Sequence, residues 1–331
     1  NLRDEGIDKA NIDSLLHRDR KAEEKCGQQT EKTILDSDIF IRNCQSHLAR
    51  LKSSIKRFFN LIHGVNGITP TQHEKGMFSA FSASLQSACL SRQVGASIMD
   101  DNGLIISTGK NDVPKAFGGL YNAEDGEDDH RCFHKGGKCY NDYHKTKIKN
   151  KITQLLTDNK IAKGDAIAEI LYKEAGISSL LEFSRSIHAE MDAITSIARK
   201  GNSATLGTTL YTTTYPCHNC ARHIVAAGIN KAIYIEPYEK SLALDLHDDA
   251  ISNHTDQTKV AFEAFEGVSP RRYAKFFFSG ADRKTSGSGE AVKITSKYNN
   301  HVDVQFLDSF STFEGKILEG FQNKLNSQES D

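Results

Sequence analysis

The chain has 331 residues, enough for one large domain or two, with 38% hydrophobic residues and a formal net charge of −1. That balance argues against a nonspecific polynucleotide binder, which usually carries a basic patch or stripe, and no run of about 18 apolar residues marks a membrane span. Seven cysteines, an odd number, and no signal peptide at the start predict a reducing compartment, the cytoplasm.

Residues 1–35 are polar and charged, with Arg18-Asp19-Arg20-Lys21 as a basic cluster, and read as a solvated helical segment. The opening on Asn1 reads as a fragment or a chain lacking its start. Leu48, Leu51, Ile55, Phe58, Phe59 and Ile62 recur at helical spacing up to Gly64 and predict a packing helix; Gly64–Pro70 reads as a linker. Thr71-Gln72-His73-Glu74 is a capping box opening a helix with Met77, Phe81 and Leu85 on one face. Val94–Met99 and Leu104–Thr108 flank Asp101-Asn102-Gly103 and predict a hairpin.

An insert spans about 115–184. It carries the acidic run Glu124–Asp129, then His130, Cys132, His134 and Cys139, and two helices between Lys145 and Gly176 with Ile167, Ile170 and Leu171 on a packing face. A helix starts at His188 and stops at Gly201; Gly207–Thr214 is a strand. Pro216 suits the first position of a helix running from Cys217 to Ala227 and ending at Gly228, before the strand Lys231–Ile235. In the tail, Gly280–Gly289 reads as a flexible loop, Val302–Phe306 as a strand and Phe310–Leu325 as a closing helix. This order predicts an α/β protein, a three-layer α/β/α sandwich with a mixed sheet, preceded by a helical N-terminal segment.

The chemistry lies in His188-Ala189-Glu190 and Pro216-Cys217-His218-Asn219-Cys220. One imidazole and two thiolates make a three-ligand catalytic zinc site, whose fourth position stays open for water. Zinc lowers the pKa of that water to about 7. Glu190 is placed to move protons rather than to bind metal, as in the H-x-E…P-C-x-x-C pattern of zinc nucleobase deaminases. A lone C-x-x-C would fit a structural zinc knuckle or a redox pair equally well; His-Ala-Glu upstream separates the readings. Cys132, His134 and Cys139, joined by Cys89, are candidates for a second, structural zinc. No G-x-x-x-x-G-K-[ST] occurs, so nothing in the sequence points to NTP hydrolysis.

These two motifs, with Ser91–Ile98 and Ile106–Pro114, resemble the deoxycytidylate-type branch of the cytidine deaminases over about residues 75–265. Tyr234–Ser241 and Asp36–Asn43 are similar to stretches of the bacterial anti-phage dCTP deaminases, which join a degenerate kinase-like domain to a deaminase domain. The resemblance implies a deaminase domain over 71–268, a segment 1–64 belonging to a kinase-like domain, and a C-terminal extension over 269–331. It also implies hydrolysis of dCTP or dCMP to dUTP or dUMP, nucleotide-pool depletion in anti-phage defence, a homo-oligomer and a regulatory RNA. Carried over by position, Asn111 contacts the sugar, Ala189 offers backbone groups to the base, Tyr215 and Tyr238 line the pocket, and Arg92 contacts phosphate; Lys110 and Asp112 depart from the family's tyrosine and glycine. Two alternatives stand beside this: a polynucleotide deaminase acting on RNA or single-stranded DNA, which needs a basic, aromatic channel, and a nucleotide-sensing module, which the retained Glu190 disfavours.

Overall fold

The structure is a computed structural model that describes residues 14, 33–34, 36–43, 48–201, 204–238, 240–253, 256, 258–279, 282–294, 312 and 314–320. The basic cluster at Arg18–Lys21 and the predicted strand Val302–Phe306 lie outside the described residues, and of the closing helix residues 314–320 are described as helical. In chain order the elements are β1 (Ile39–Phe40), α1 (Leu48–Ile62), α2 (Gln72–Ser84), β2 (Gly95–Met99), β3 (Ile105–Lys110), α3 (Tyr140–Asp158), α4 (Gly164–Glu174), α5 (Ala189–Lys200), β4 (Thr209–Thr214), α6 (His218–Ala226), β5 (Lys231–Glu236), α7 (Ala243–Leu246), β6 (Ile251–Ser252), β7 (Val260–Ala264), β8 (Gly267–Val268) and α8 (Tyr273–Phe277).

Thr71–Pro270, with the described residues up to Arg42, form one compact unit. Its sheet runs β3-β2-β4-β5-β7-β6. β2 pairs antiparallel with β3 and β4, whereas β4, β5, β7 and β6 pair in parallel, so the sheet is mixed as the element order predicts. Successive strand residues point to opposite faces, and both faces are apolar. Ala96, Ile98, Leu210, Ala232 and Phe262 pack with Ala189, Ala193, Ala221 and Ile224 of α5 and α6. Met99, Tyr211 and Ile233 pack with Met77 and Ala80 of α2 on the other face. Helices on both sides of one sheet give the three-layer α/β/α sandwich. β1 and β8 form a separate antiparallel pair.

One helix start and one turn follow from local chemistry. The Thr71 hydroxyl accepts the Glu74 N–H at 3.1 Å and Glu74 accepts the Thr71 N–H at 2.7 Å, the predicted capping box. Glu74 also accepts the Val268 N–H at 2.9 Å, tying α2 to β8. The buried face of α2 differs from the expected one: Met77, Ala80, Ala83 and Ser84 are buried while Leu85 is exposed, because the small residues allow α2 to lie close against the sheet. The Asn-Gly hairpin forms, with Gly103 at φ +79° and the Asp100 carboxylate accepting the N–H groups of Asn102 and Leu104.

The insert folds as predicted into two helices, α3 and α4. Of the expected packing face Ile167, Ile170 and Leu171, Ile167 is half-buried while Ile170 and Leu171 are exposed. Ala168 is fully buried, and a Cβ on Gly164 would sit 3.2 Å from Leu156 Cβ of α3. A small residue at Gly164 lets the two helices approach closely there. Glu169 pairs with Lys149 and, at 3.0 Å, with Lys173.

The described residues of Asn43–Pro70 and from Arg271 onward form a second unit. In it, the Arg57 guanidinium lies 5.9 Å from the Phe277 ring centroid and donates to the Thr69 carbonyl at 3.1 Å. Part of the tail predicted as a flexible loop closes into a narrow hairpin: Val292 N–H donates to Arg283 O at 3.1 Å and Thr285 N–H to Glu290 O at 2.8 Å. Among the described residues, no helix is long and apolar enough to cross a membrane.

Candidate metal centre and active site

The two motifs converge at two helix N-termini. His188 is the N-cap of α5 and Cys217 the N-cap of α6, so Pro216 precedes the cap rather than opening the helix. Cys220 lies three residues into α6, one turn from Cys217 and on the same face. His188 Nδ1 is 3.3 Å from both Cys217 Sγ and Cys220 Sγ, and the three donor atoms lie within 4.8 Å of one another. Tetrahedral zinc with bonds of about 2.3 Å to sulfur and 2.0–2.1 Å to nitrogen sets such atoms about 3.6 Å apart. The donor set and its spacing therefore fit zinc.

Gly109 on β3 lets α5 reach this position. A Cβ there would fall 2.2 Å from the Ala189 carbonyl oxygen and 2.4 Å from the Ala193 nitrogen, so only glycine allows the helix backbone to touch the strand. The Lys110 N–H then donates to buried Asp192 at 3.1 Å, fixing the first turn of α5 to the end of β3. The free N–H groups of both helix starts favour negative charge beside them.

The three side chains share protons closely. A hydrogen bond from Cys220, followed by His188, holds Cys217 down to about 4 against the opposing effect of burial. Cys217 raises His188 to about 9, and the bond Cys220 makes to Cys217, with burial, pushes Cys220 well up. Glu190 is 4% exposed, and burial lifts its pKa above the ordinary carboxylate value despite nearby His188. Its Oε2 lies 3.4 Å from Cys220 Sγ, and its Oε1 3.4 Å from the Thr212 hydroxyl. A carboxylate raised in this way, beside the ligands but outside the ligand set, suits proton transfer. Thr212, at the start of the stretch that resembles the second zinc motif, points from β4 at the same carboxylate.

A cavity of about 330 Å³ opens over His188 and Glu190. Asn111, Ala189, Tyr215, Tyr238 and Arg92 all line it. Asn111 accepts the Val94 N–H at 2.7 Å and donates to the Arg92 carbonyl at 2.8 Å, so its amide anchors the segment leading into β2. Tyr215 packs edge-on against Tyr234 and Phe262, its hydroxyl 3.3 Å from Asn253 Oδ1, and burial pushes its pKa up to about 12. Arg92 pairs with Glu236, whose other oxygen accepts the Thr214 hydroxyl at 3.1 Å.

Cys89, Cys132 and Cys139 also line the cavity, but His134 does not join them. Its side chain is half exposed and lies 3.3 Å from Asp129. Among the described residues, His188, Cys217 and Cys220 are the one group of three such side chains close enough to share an ion. Asp112 has a structural use: it is 1% exposed, accepts the Ala88 N–H at 3.0 Å and lies 3.7 Å from Arg131 of the insert, which forks onto Asp129 at 2.6–3.0 Å. That network joins the insert to the segment after β3.

A mixed sheet carrying an imidazole and two thiols at two helix starts, with a buried carboxylate between them, defines a hydrolytic zinc deaminase. The model of the cytidine and deoxycytidylate deaminase zinc-binding region matches residues 70–236, and the chain belongs to that family. Deoxycytidylate deaminase of Enterobacteria phage T4 is 35% identical over 167 residues, covering 49% of this chain and 76% of that protein. ComE operon protein 2 of Bacillus subtilis is 44% identical over 55 residues, 17% of this chain and 29% of that protein. Among solved structures, the dCMP deaminase of cyanophage S-TIM5 in complex with dCMP and dUMP aligns over 60% of this chain and 100% of its own, at 21% identity and a TM-score of 0.36.

Proposed function

We propose that the chain deaminates deoxycytidine nucleotides, converting dCMP and dCTP to dUMP and dUTP with release of ammonia. The observation that carries this reading is Glu190, buried beside the His188, Cys217 and Cys220 donors and lining a cavity of about 330 Å³ together with Arg92, Lys145, Arg185 and Lys240. Deoxycytidylate deaminases among the relatives support it.

Zinc held by His188, Cys217 and Cys220 supplies the Lewis acidity that makes water a nucleophile near neutral pH. Glu190 takes the water's proton and passes it to the ring nitrogen beside C4. The oxygen adds to C4, Glu190 takes the second proton from the new C4 hydroxyl and gives it to the amine, and the C4–N bond breaks to leave ammonia and a carbonyl. Burial keeps the Glu190 pKa high enough for it to give the proton back as well as take it. Ala189, at the first position of α5, offers its backbone to the base edge, and Asn111 and Tyr238 flank the sugar.

The resemblance of Tyr234–Ser241 and Asp36–Asn43 to anti-phage dCTP deaminases supports the rest of the reading: depletion of deoxycytidine nucleotides during phage infection by a cytoplasmic homo-oligomer, with an N-terminal kinase-like domain, under a regulatory RNA. A substrate panel tests the activity: dCMP, dCTP, CMP, CTP, deoxycytidine and a cytosine-containing oligonucleotide, with product analysis. Zinc-loaded protein that leaves dCMP and dCTP unchanged refutes the reading, and turnover of the oligonucleotide alone replaces it with polynucleotide deamination.

A further inference from the structure

We propose that Lys145, on the inserted helix α3, grips the distal phosphates of the nucleotide, so that the insert gives the site its preference for a triphosphate over a monophosphate. This inference rests on the nucleotide reading of the cavity. Lys145 is 8% exposed, and a lysine that deep is uncommon unless it is paired or used. Its ammonium donates to the Ser178 carbonyl at 3.2 Å and pairs with Asp142 at 2.9 Å. The Asp142 side chain is itself 66% exposed, so the pair opens to solvent rather than closing in the core.

Lys145, Asp142 and Ser178 line the cavity that holds Glu190, although they belong to the insert. Tyr238 lines the same cavity and lies within electrostatic reach of Cys217, Arg92 and Lys145. The cavity lining has four cations, Arg92, Lys145, Arg185 and Lys240, on four separate segments. A single phosphate is compact and meets two or three donors at one point. Four donors on separate segments suit a chain of phosphates, with Lys145 the one contributed by a helix of the insert. A lysine serves here as a point charge for phosphate oxygens.

Steady-state kinetics of the full chain with deoxycytidine, dCMP and dCTP test the assignment. Lys145→Met is expected to raise the KM for dCTP about 10- to 100-fold, the scale of a lost charged hydrogen bond, to raise that for dCMP less, and to leave deoxycytidine unaffected; Lys145→Arg restores dCTP binding. Asp142→Asn, at an exposed position, frees the lysine and is expected to lower the KM for dCTP, so it decides the matter if Lys145→Met does not fold. Unchanged dCTP kinetics in these variants, or an equal loss on all three substrates, overturns the inference. Calorimetric titration with inorganic tripolyphosphate keeps the two readings apart. Lys145-dependent binding in a chain that deaminates no deoxycytidine nucleotide refutes the proposed function alone. Deamination of dCTP with tripolyphosphate binding indifferent to Lys145 refutes this inference alone.

Discussion

The cavity has two walls of different construction. One is the sheet face with the starts of α5 and α6, where Ala189, Ala193, Ala221 and Ile224 are at 0% exposure and Gly109 permits backbone contact. The other is the insert, held by Arg131 on Asp129 and Asp112 and by Lys145 on Ser178 and Asp142. The first holds the atoms of the reaction, and close packing fixes them to within a fraction of an ångström. The second is held by polar ties, buried at Arg131, Asp129 and Asp112 and open to solvent at Asp142. On the proposals above, bond making falls to the apolar layer and substrate choice to the polar one, the division expected where loops vary on a rigid scaffold.

The largest expected effects break the first wall. Cys220→Ser should abolish both zinc binding and turnover, checked by metal analysis and product assay. Glu190→Gln should lower kcat by about 100-fold to 10,000-fold or more while keeping the metal, since Glu190 transfers protons and is no ligand. Metal analysis of the parent chain sharpens the same point: the geometry predicts one zinc per chain, and two would mean that Cys89, Cys132, His134 and Cys139 gather into a second site. Gly109→Ala should destabilise the chain by about 3 kcal/mol, because its Cβ meets helix backbone that cannot move aside. Denaturant unfolding measures it.

Effects on turnover at the second wall should be smaller, with the loss falling on stability and KM. Arg131→Met strands Asp129 and Asp112 near each other and should cost about 3 kcal/mol, raising KM more than it lowers kcat. The Arg131 hydrogen bond holds the Asp129 pKa below its ordinary value. A carboxylate depressed in the folded state contributes stability that is present above its unfolded pKa of about 3.9 and is lost as pH falls through the folded value. Melting temperatures should therefore fall more steeply below about pH 4 in the parent than in Arg131→Met.

The two walls also differed in how far they could be read from sequence. His188, Glu190, Cys217 and Cys220 were legible because each sits within one helical turn of a cap or of another ligand, where spacing fixes geometry. The mixed sheet and its flanking helices followed from the apolar alternation of the hairpin strands and from the helices between later strands. In the insert the two helices were legible but their contacts were not. Lys145 lies among Lys147, Lys149 and Lys151, and it meets Ser178, 33 residues away. Asp112 looked like a departure from a family pattern until Arg131 arrived from the insert to face it. Asn111 lines the cavity, yet its amide bonds to Val94 and Arg92 are tertiary facts that no spacing encodes.

Turnover of dCMP in ¹⁸O-labelled water, read by mass spectrometry of the product, tests the central claim most directly. Hydrolysis driven by Glu190 beside the His188, Cys217 and Cys220 site predicts dUMP carrying one labelled oxygen on the ring and a stoichiometric release of ammonia. Unlabelled dUMP, or zinc-loaded chain that leaves both dCMP and dCTP intact, would contradict it.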